Sequence, residues 1–551
     1  NAHNQNSRVC METLRAYDEL FPWALLVLVT TITILYLKQL LVTAFKRRAT
    51  SSPSLPCPRG LPLIGNLHQL GTVPHDALAA LAAKHAAPVM LLRLGSVRTL
   101  VVSTADALRA VFQPNDRAMS GRPALCAATR ITYGLQDIVF SPPDGGFWRT
   151  ARRASLSELL SAPRVRSFRD VREQEAAALV AAVTDMSRSG SPVNLSEELM
   201  ATSNKILRRV AFGDGGGEEE SIRASAVLEE TQKLLGGFFV ADYMPWLGWL
   251  DALRGLRRRL ERNFHELDAF YEKVIDDHLS KRGDDDDASK SKGEDLVDVL
   301  LRLHGDPAYQ STFNSRDQIK GILTDMFIAG TDTAAATVEW TMTELVRHPD
   351  TLAKAQKEVR GAVVGRDDDI VRESDLPRLK YLKQVIREAM RVHPPVPLLV
   401  PRETIEPCTV YGCEIPARTR VLVNAKAIGQ DPDAWGADAA RFVPERHEEI
   451  ADLSDHKPWH DSFSLVPFGV GRRSCPGVHF ATSVVELLLA NLLFCFDWRA
   501  PHGGVVDLEQ ETGLTVHRKH PLVLVARRVR VQAPSDDELD GRFSAMHSVP
   551  S

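Results

Sequence analysis

The sequence predicts a mostly helical protein with small β-sheets set to one side, carried behind a single N-terminal transmembrane helix. Three observations predict this. From about Asp106 onward apolar residues recur at helical spacing, and the stretch 316–348 keeps that spacing long enough for one helix of about 50 Å. Residues 89–95 (VMLLRLG) and 99–102 (TLVV) read as a short β pair. Residues 20–37 (LFPWALLVLVTTITILYL) form an apolar run without a charge, long enough to span a bilayer.

The apolar run resumes after Lys38 and stops at Lys46, Arg47 and Arg48, so its basic cluster follows the span. A cleaved signal peptide has its basic residues in front and a shorter apolar stretch. The positive-inside rule then keeps the rest of the chain in the cytosol. This gives an N-terminal extension over 1–19, with a natural start expected at Met11, and an anchor with its basic stop over 20–48. Prolines 53, 56, 58 and 62 make 49–62 a stiff hinge, because proline fixes φ and cannot continue a helix. A single domain is expected over 63–531, with a polar tail over 532–551. Residues 213–221 (GDGGGEEES) and 281–294 (KRGDDDDASKSKGE) read as solvated loops. Between them the aromatic stretch 234–250 (LLGGFFVADYMPWLGWL) suits either core or a surface that meets a membrane.

The chain has 551 residues, 44% of them hydrophobic and 25% charged, with a formal net charge of -4. No Lys/Arg block interleaved with aromatics marks a nucleic-acid surface, so none is expected as a partner. Cysteines 10, 57, 126, 408, 413, 475 and 495 form no CxxC pair, which argues against a disulfide scaffold and against a tetrahedral zinc site. Most of them are expected to be small buried hydrophobes.

Cys475 is the exception. It lies in PFGVGRRSCPG, residues 467–477, just before the strongly helical HFATSVVELLLANLLFCF. Glycines 469, 471 and 477 allow tight turns and a close approach to a flat ligand. A helix N-terminus and the charge of Arg473 would both favour an anionic sulfur. An iron ligand needs that environment, and electron donation from thiolate favours cleavage of an O–O bond.

The segment resembles the cytochrome P450 signature FxxGxRxCxG at Phe468, Gly471, Arg473, Cys475 and Gly477. The resemblance implies a haem-thiolate fold and haem b with iron held axially by Cys475. Trp148 and Arg152 match WxxxR, which in this family faces the haem propionates, though the bare pattern also fits an amphipathic surface helix. Arg402, in LLVPRET, and Arg473 are implied as further propionate partners. Glu388 and Arg391 give ExxR, which taken alone is an ordinary surface ion pair. Beside Phe442-Val443-Pro444-Glu445-Arg446 it resembles the family's structural Glu-Arg-Arg cluster, with Arg446 third and His447 in place of the usual aromatic.

Ala329-Gly330-Thr331-Asp332-Thr333 matches (A/G)Gx(D/E)T. The match implies that Thr333 holds a water or the reduced oxygen while Asp332 feeds protons inward. A threonine back-bonding inside a core helix is the simpler alternative. The proline hinge, SFRDVREQE and KEVRGAVVG are similar to plant microsomal A-type members, the 71 clan. ELDAFYEKVIDDHL, GEDLVDVLL and ETGLTVHRKHPL are similar to oxime-metabolising monooxygenases of cyanogenic glucoside synthesis.

The resemblance implies an endoplasmic-reticulum monooxygenase acting on a lipophilic plant specialised metabolite (terpenoid, phenolic or indolic). It would use O2 and electrons from NADPH through NADPH-cytochrome P450 reductase, docked near the Cys475 side. Substrate contacts are expected from 122–138, 238–243, 327–329, 396–400 and 514–515. Conversion of oximes to nitriles or hydroxynitriles is one alternative; a haem sensor or electron carrier without turnover is another.

Overall fold

Serine and glutamine open the longest helix: Ser315 Oγ accepts from the Asp317 N–H while Gln318 Oε1 accepts from the Ser315 N–H, closing a capping box. The computed structural model describes residues 55–213, 218–284, 294–363, 370–448 and 463–529, with Thr30 and Thr33. Six helices position the site: α1 (Gly146–Ala154), α2 (Leu195–Phe212), α3 (Leu256–Asp284), α4 (Arg316–Arg347), α5 (Lys380–Val392) and α6 (Val478–Cys495).

Helix α4 runs unbroken for 32 residues. Gly330 and the threonines do not interrupt it; the hydroxyls of Thr324, Thr333, Thr337 and Thr341 each donate to the carbonyl four residues back. Gly330 has a packing reason: a Cβ there would press on the Leu207 side chain of α2 at 3.0 Å. Helix α6 is apolar on every side, and a helix of that kind belongs in an interior. Leu487, Leu488, Leu489, Leu492 and Leu493 are fully buried. Each such burial stabilises the fold by about 2 kcal/mol.

Helix α6 also corrects the expected N-terminal spanning helix. Among the described residues the one helix long and apolar enough to cross a membrane is Val478–Cys495, and 83% of it is buried inside the protein. Its apolarity serves the core. Residues 20–48, apart from Thr30 and Thr33, lie outside the described residues, as does the polar tail.

The β pair forms as expected. Strand β1 (Val89–Leu94) pairs antiparallel with β2 (Val97–Val102), in register from Val89↔Val102 to Leu94↔Val97. The remaining strands are β3 (Val193–Asn194), β4 (Arg402–Glu403), β5 (Cys408–Val410), β6 (Cys413–Ile415), β7 (Arg420–Val423), β8 (Phe496–Arg499) and β9 (Val523–Arg528). They build a four-stranded sheet β1-β2-β7-β4, a three-stranded sheet β3-β9-β8 and the hairpin β5-β6. Strand β7 lies parallel to β2, with Val423 opposite Val102. This sheet packs against two smaller apolar clusters, separate from the large core around α4 and α6.

Other expectations change. The polar run 213–221 is not all loop: a helix spans Glu218–Leu235. Helix α3 extends into the start of 281–294, whose residues 285–293 lie outside the described residues. The aromatic stretch divides, with Phe239, Val240 and Met244 buried and Phe238, Trp246 and Trp249 exposed. The six described cysteines are free thiols, and of these Cys495 alone is buried in the way expected for most; Cys57 is exposed.

Candidate functional site

Helix α4, helix α2, the segment 395–402 and the loop 467–477 line a cavity of about 240 Å³. Ala329, Gly330 and Thr333 line it from α4, and Phe468, Cys475 and Gly477 from the loop. The loop turns through two left-handed glycines, Gly469 at φ 75° and Gly471 at φ 61°. A Cβ at Gly471 would collide with the Asp116 carboxylate, which instead takes the Arg472 Nε–H at 2.8 Å. The Cys475 N–H donates to the Phe468 carbonyl at 2.8 Å, and Cys475 Sγ accepts the Gly477 N–H at 3.3 Å.

Burial pushes the Cys475 thiol up, opposed by the Gly477 N–H and by Arg152. The nearby cation is therefore Arg152, not Arg473 as the sequence spacing implied. The Arg473 guanidinium is used otherwise: it donates to the carbonyls of Ser120 at 2.9 Å and Ile138 at 3.0 Å, and to that of Ser141. Its face lies 4.1 Å from the Trp148 ring centroid.

Four arginines reach the cavity wall: Arg122, Arg152, Arg402 and Arg473. Arg152 donates to the Ser474 carbonyl at 2.7 Å, Arg402 to the Val470 carbonyl, and Arg122 to the Val139 and Pro401 carbonyls at 2.9 Å. Burial, and then their own mutual repulsion, lower Arg122 well below the usual guanidinium range and Arg473 to about 9. Arg402 Nη1 has no hydrogen-bond partner, and its nearest carboxylate oxygen, on Asp116, stands 3.9 Å away. A buried cluster with this much positive charge calls for an anion. A porphyrin carrying two carboxylates would fit this donor set, with the Cys475 sulfur available to its metal.

The structure brings Arg152, Arg402, Phe468, Arg473, Cys475, Gly477 and Thr333 to one cavity. Trp148 stands behind that wall, buried, donating its Nε1–H to the Ile138 carbonyl at 3.1 Å and supporting Arg473. Asp332 also lies off the lining, paired at 2.7 Å with His517. Thr333 donates to the Ala329 carbonyl at 2.6 Å, the back-bonded geometry open to any helical threonine. Of the expected substrate segments, Arg122, Ile138, Ala329, Val396, Leu399 and Val400 line the cavity. Residues 238–243 and 514–515 do not, and Phe327 turns into the core, stacked on Phe212 at 4.8 Å.

Glu388, Arg391 and Arg446 meet away from the cavity. Glu388 and Arg391 are wholly buried. Glu388 accepts from Arg391 at 2.7 and 2.8 Å, from Arg446 at 2.9 Å, from the Val443 N–H at 2.8 Å and from His447 at 2.9 Å. Burial alone would raise this carboxyl, but the donors of Arg391 and His447 hold it down at about 2. His447 is thus a fourth member of the cluster, which explains why a polar ring replaces the usual aromatic.

Sequence reasoning also missed a carboxyl pair. Asp325 of α4 accepts from the N–H groups of Ile138 at 2.6 Å and Val139 at 3.1 Å, and it hydrogen-bonds Asp137. Burial raises both, Asp137 to about 6 and Asp325 further, because the Asp137 charge adds to its burial. The pair therefore keeps a proton that the unfolded chain releases near its ordinary value of 3.8. A raised folded value means stability that is complete in acid and lost as pH rises through the folded range. In thermal melts from about pH 5 to about pH 8, Tm should fall more in the wild type than in Asp325→Asn, which carries a permanent neutral amide. Equal slopes would count against the shared proton.

The comparisons agree with this geometry. Residues 55–525 match the family model for Cytochrome P450. The chain belongs to the cytochrome P450 family. It is similar to Cytochrome P450 71A9 of Glycine max, 49% identical over 88% of this chain and 94% of that one. Strychnine-11-hydroxylase of Strychnos nux-vomica is 44% identical over 87% of this chain and 92% of its own length. A zebra fish cytochrome P450 solved with progesterone shares the fold at a TM-score of 0.69 with 24% identity, covering 82% of this chain and 99% of that one. The protein is a plant P450 monooxygenase of the 71-clan type. Nothing in these comparisons ties this P450 specifically to oxime metabolism. A sensor or electron carrier without turnover gives way to the monooxygenase assignment.

Proposed function

We propose that this P450 inserts one oxygen atom from O2 into a small lipophilic plant specialised metabolite, and that Cys475 would hold the iron of haem b through its thiolate. The observation that carries the reading is the Cys475 thiol set in the wall of one apolar cavity together with Thr333 and four arginines, two of them, Arg402 and Arg473, buried. Arg152, Arg402 and Arg473 would hold the propionates, joined by Arg122, while Trp148 braces Arg473 from behind. Bound haem would supply the reduction and cleavage of dioxygen.

The rest falls to the chain. Val396, Leu399, Leu207 and Val210 press an apolar substrate into place and exclude water. Thr333 exchanges its bond to the Ala329 carbonyl for one to water, and Asp332 passes protons toward it. Electrons would come from NADPH through NADPH-cytochrome P450 reductase docked near the Cys475 side. The 44% likeness to a protein named strychnine-11-hydroxylase supports hydroxylation as the reaction.

Screening plant metabolites for the spectral shift that accompanies displacement of water from iron, followed by turnover under labelled dioxygen, tests the reading. One labelled oxygen atom in the product is the expected result; a product free of label would overturn it. Oxime conversion rests on sequence likeness alone, and failure to turn over aromatic aldoximes rejects it. Thr333→Ala should keep NADPH consumption while product per NADPH falls by at least about tenfold and peroxide rises. Unchanged coupling would remove Thr333 from proton delivery.

A further inference from the structure

Asp332, the carboxylate proposed to supply protons, is held by a residue outside the AGTDT, WxxxR, ExxR and Cys475-loop motifs. His517, in the C-terminal segment beside α4, places Nε2 at 2.7 Å from Asp332 Oδ1 and Nδ1 at 3.3 Å from Glu339 Oε2. Asp332 and Glu339 lie seven residues apart on α4, so two turns of one helix present both carboxylates to a single ring. Glu339 is fixed in turn. The Ser196 hydroxyl at the start of α2 donates to its other oxygen, and the Leu522 N–H donates to Ser196 Oγ at 2.7 Å.

A neutral imidazole has one N–H and could serve only one of these carboxylates; the imidazolium serves both. The ionisable groups around the ring are Asp332 and Glu339 of α4 and the neighbouring Arg518, which is committed to Asp507 at 3.1 Å. Although burial disfavours the charge, the Asp332 and Glu339 partners raise His517 to about 10. The ring is 27% exposed and so touches solvent, while Glu339 is 4% exposed.

We propose that His517 is a positioning residue for oxygen activation: as an imidazolium clamped between Asp332 and Glu339, it anchors one oxygen of Asp332 and leaves the other for water leading to Thr333. Without the clamp the carboxylate rotates, and protons reach the cavity without direction. This rests on the proposed role of Asp332.

The test needs no substrate. Full-length protein containing haem, reduced by NADPH through a plant P450 reductase, consumes dioxygen in two ways. One NADPH and one proton per dioxygen give hydrogen peroxide; two NADPH and two protons give two waters. Directed proton delivery favours water. His517→Ala should raise peroxide per dioxygen severalfold, His517→Gln should behave like it, and His517→Lys, which keeps a cation beside the carboxylates, should restore the wild-type ratio. Haem content and Tm check that each variant folds, and the glutamine variant carries the test if the alanine variant does not accumulate.

Independently of turnover, ring NMR should show His517 doubly protonated at about pH 8, where a free histidine is neutral. Glu339→Gln should bring that ionisation down. A wild-type ratio in both His517→Ala and His517→Gln, with a shifted ratio in Asp332→Asn, would overturn the clamp and spare Asp332. A wild-type ratio in Asp332→Asn, or a wild type that yields peroxide alone, would instead remove the role of Asp332 itself. A neutral ring at that pH would also overturn the clamp.

Discussion

Cys475→Ser should abolish the thiolate-type spectrum of the reduced carbon monoxide complex and all monooxygenation. The loop that presents Cys475 depends on glycines and backbone hydrogen bonds, not on the sulfur, so the variant should keep its fold. The Cys475 N–H to Phe468 carbonyl bond is untouched by the change. A hydroxyl binds iron weakly and donates less electron density than thiolate. Haem retained by the arginines without the thiolate spectrum is therefore the expected outcome. A normal thiolate-type spectrum in Cys475→Ser would exclude Cys475 as the ligand.

Glu388→Ala should be the most destabilising single change away from the cavity. It would strip the wholly buried Arg391 of its two carboxylate bonds, and Arg446 and His447 of theirs. Removing one partner from a buried charged cluster costs about 3–5 kcal/mol. The gentler Glu388→Gln keeps the shape and loses the charge, so it should fall between alanine and wild type in denaturant midpoint. The carboxyl is held at about 2 against an ordinary value of 4.5. A lowered folded value gives stability present above about pH 4.5 and lost as pH falls toward about 2, worth about 3 kcal/mol in total. Acid unfolding followed by circular dichroism should therefore begin at higher pH in Glu388→Gln than this linkage allows the wild type. Identical acid midpoints would show that Glu388 carries no such linkage.

The sequence was most legible where chemistry requires contiguous residues. PFGVGRRSCPG places a sulfur, its turns and the following helix within one short segment, and α6 begins at Val478 as the apolar pattern implies. ExxR and the later Arg446 were legible as a cluster only through the family resemblance, since ExxR alone reads as an ordinary surface ion pair. The anchoring of Asp332 was not legible: His517 is distant in sequence, and HRKHPL carries only ordinary surface residue types. The place of Arg122 beside Arg402 and Arg473, and the Asp137–Asp325 pair, were not legible for the same reason, since each draws its meaning from a partner on another element. The cavity-lining forecast succeeded at Val396 and Ala329, which sit next to motifs. It failed at 238–243, where an aromatic composition says nothing about direction. Helix α6 shows the limit of composition as well: apolarity of membrane length here signals a core, and only tertiary packing separates the two cases.

The parallel pairing of β2 with β7 sets an order on biogenesis. Thr99 to Val102 hydrogen-bond to Arg420 to Val423, and Cys475 lies further along the chain still. A nascent polypeptide emerging from the ribosome can form β1 and β2 early, yet the sheet waits for most of translation to finish. The Cys475 loop comes later again, so the cavity it lines can close only on a nearly finished chain. Truncation by a premature stop ahead of Arg420 would leave β2 as an unpaired edge, exposed to the quality-control and aggregation routes that such edges invite.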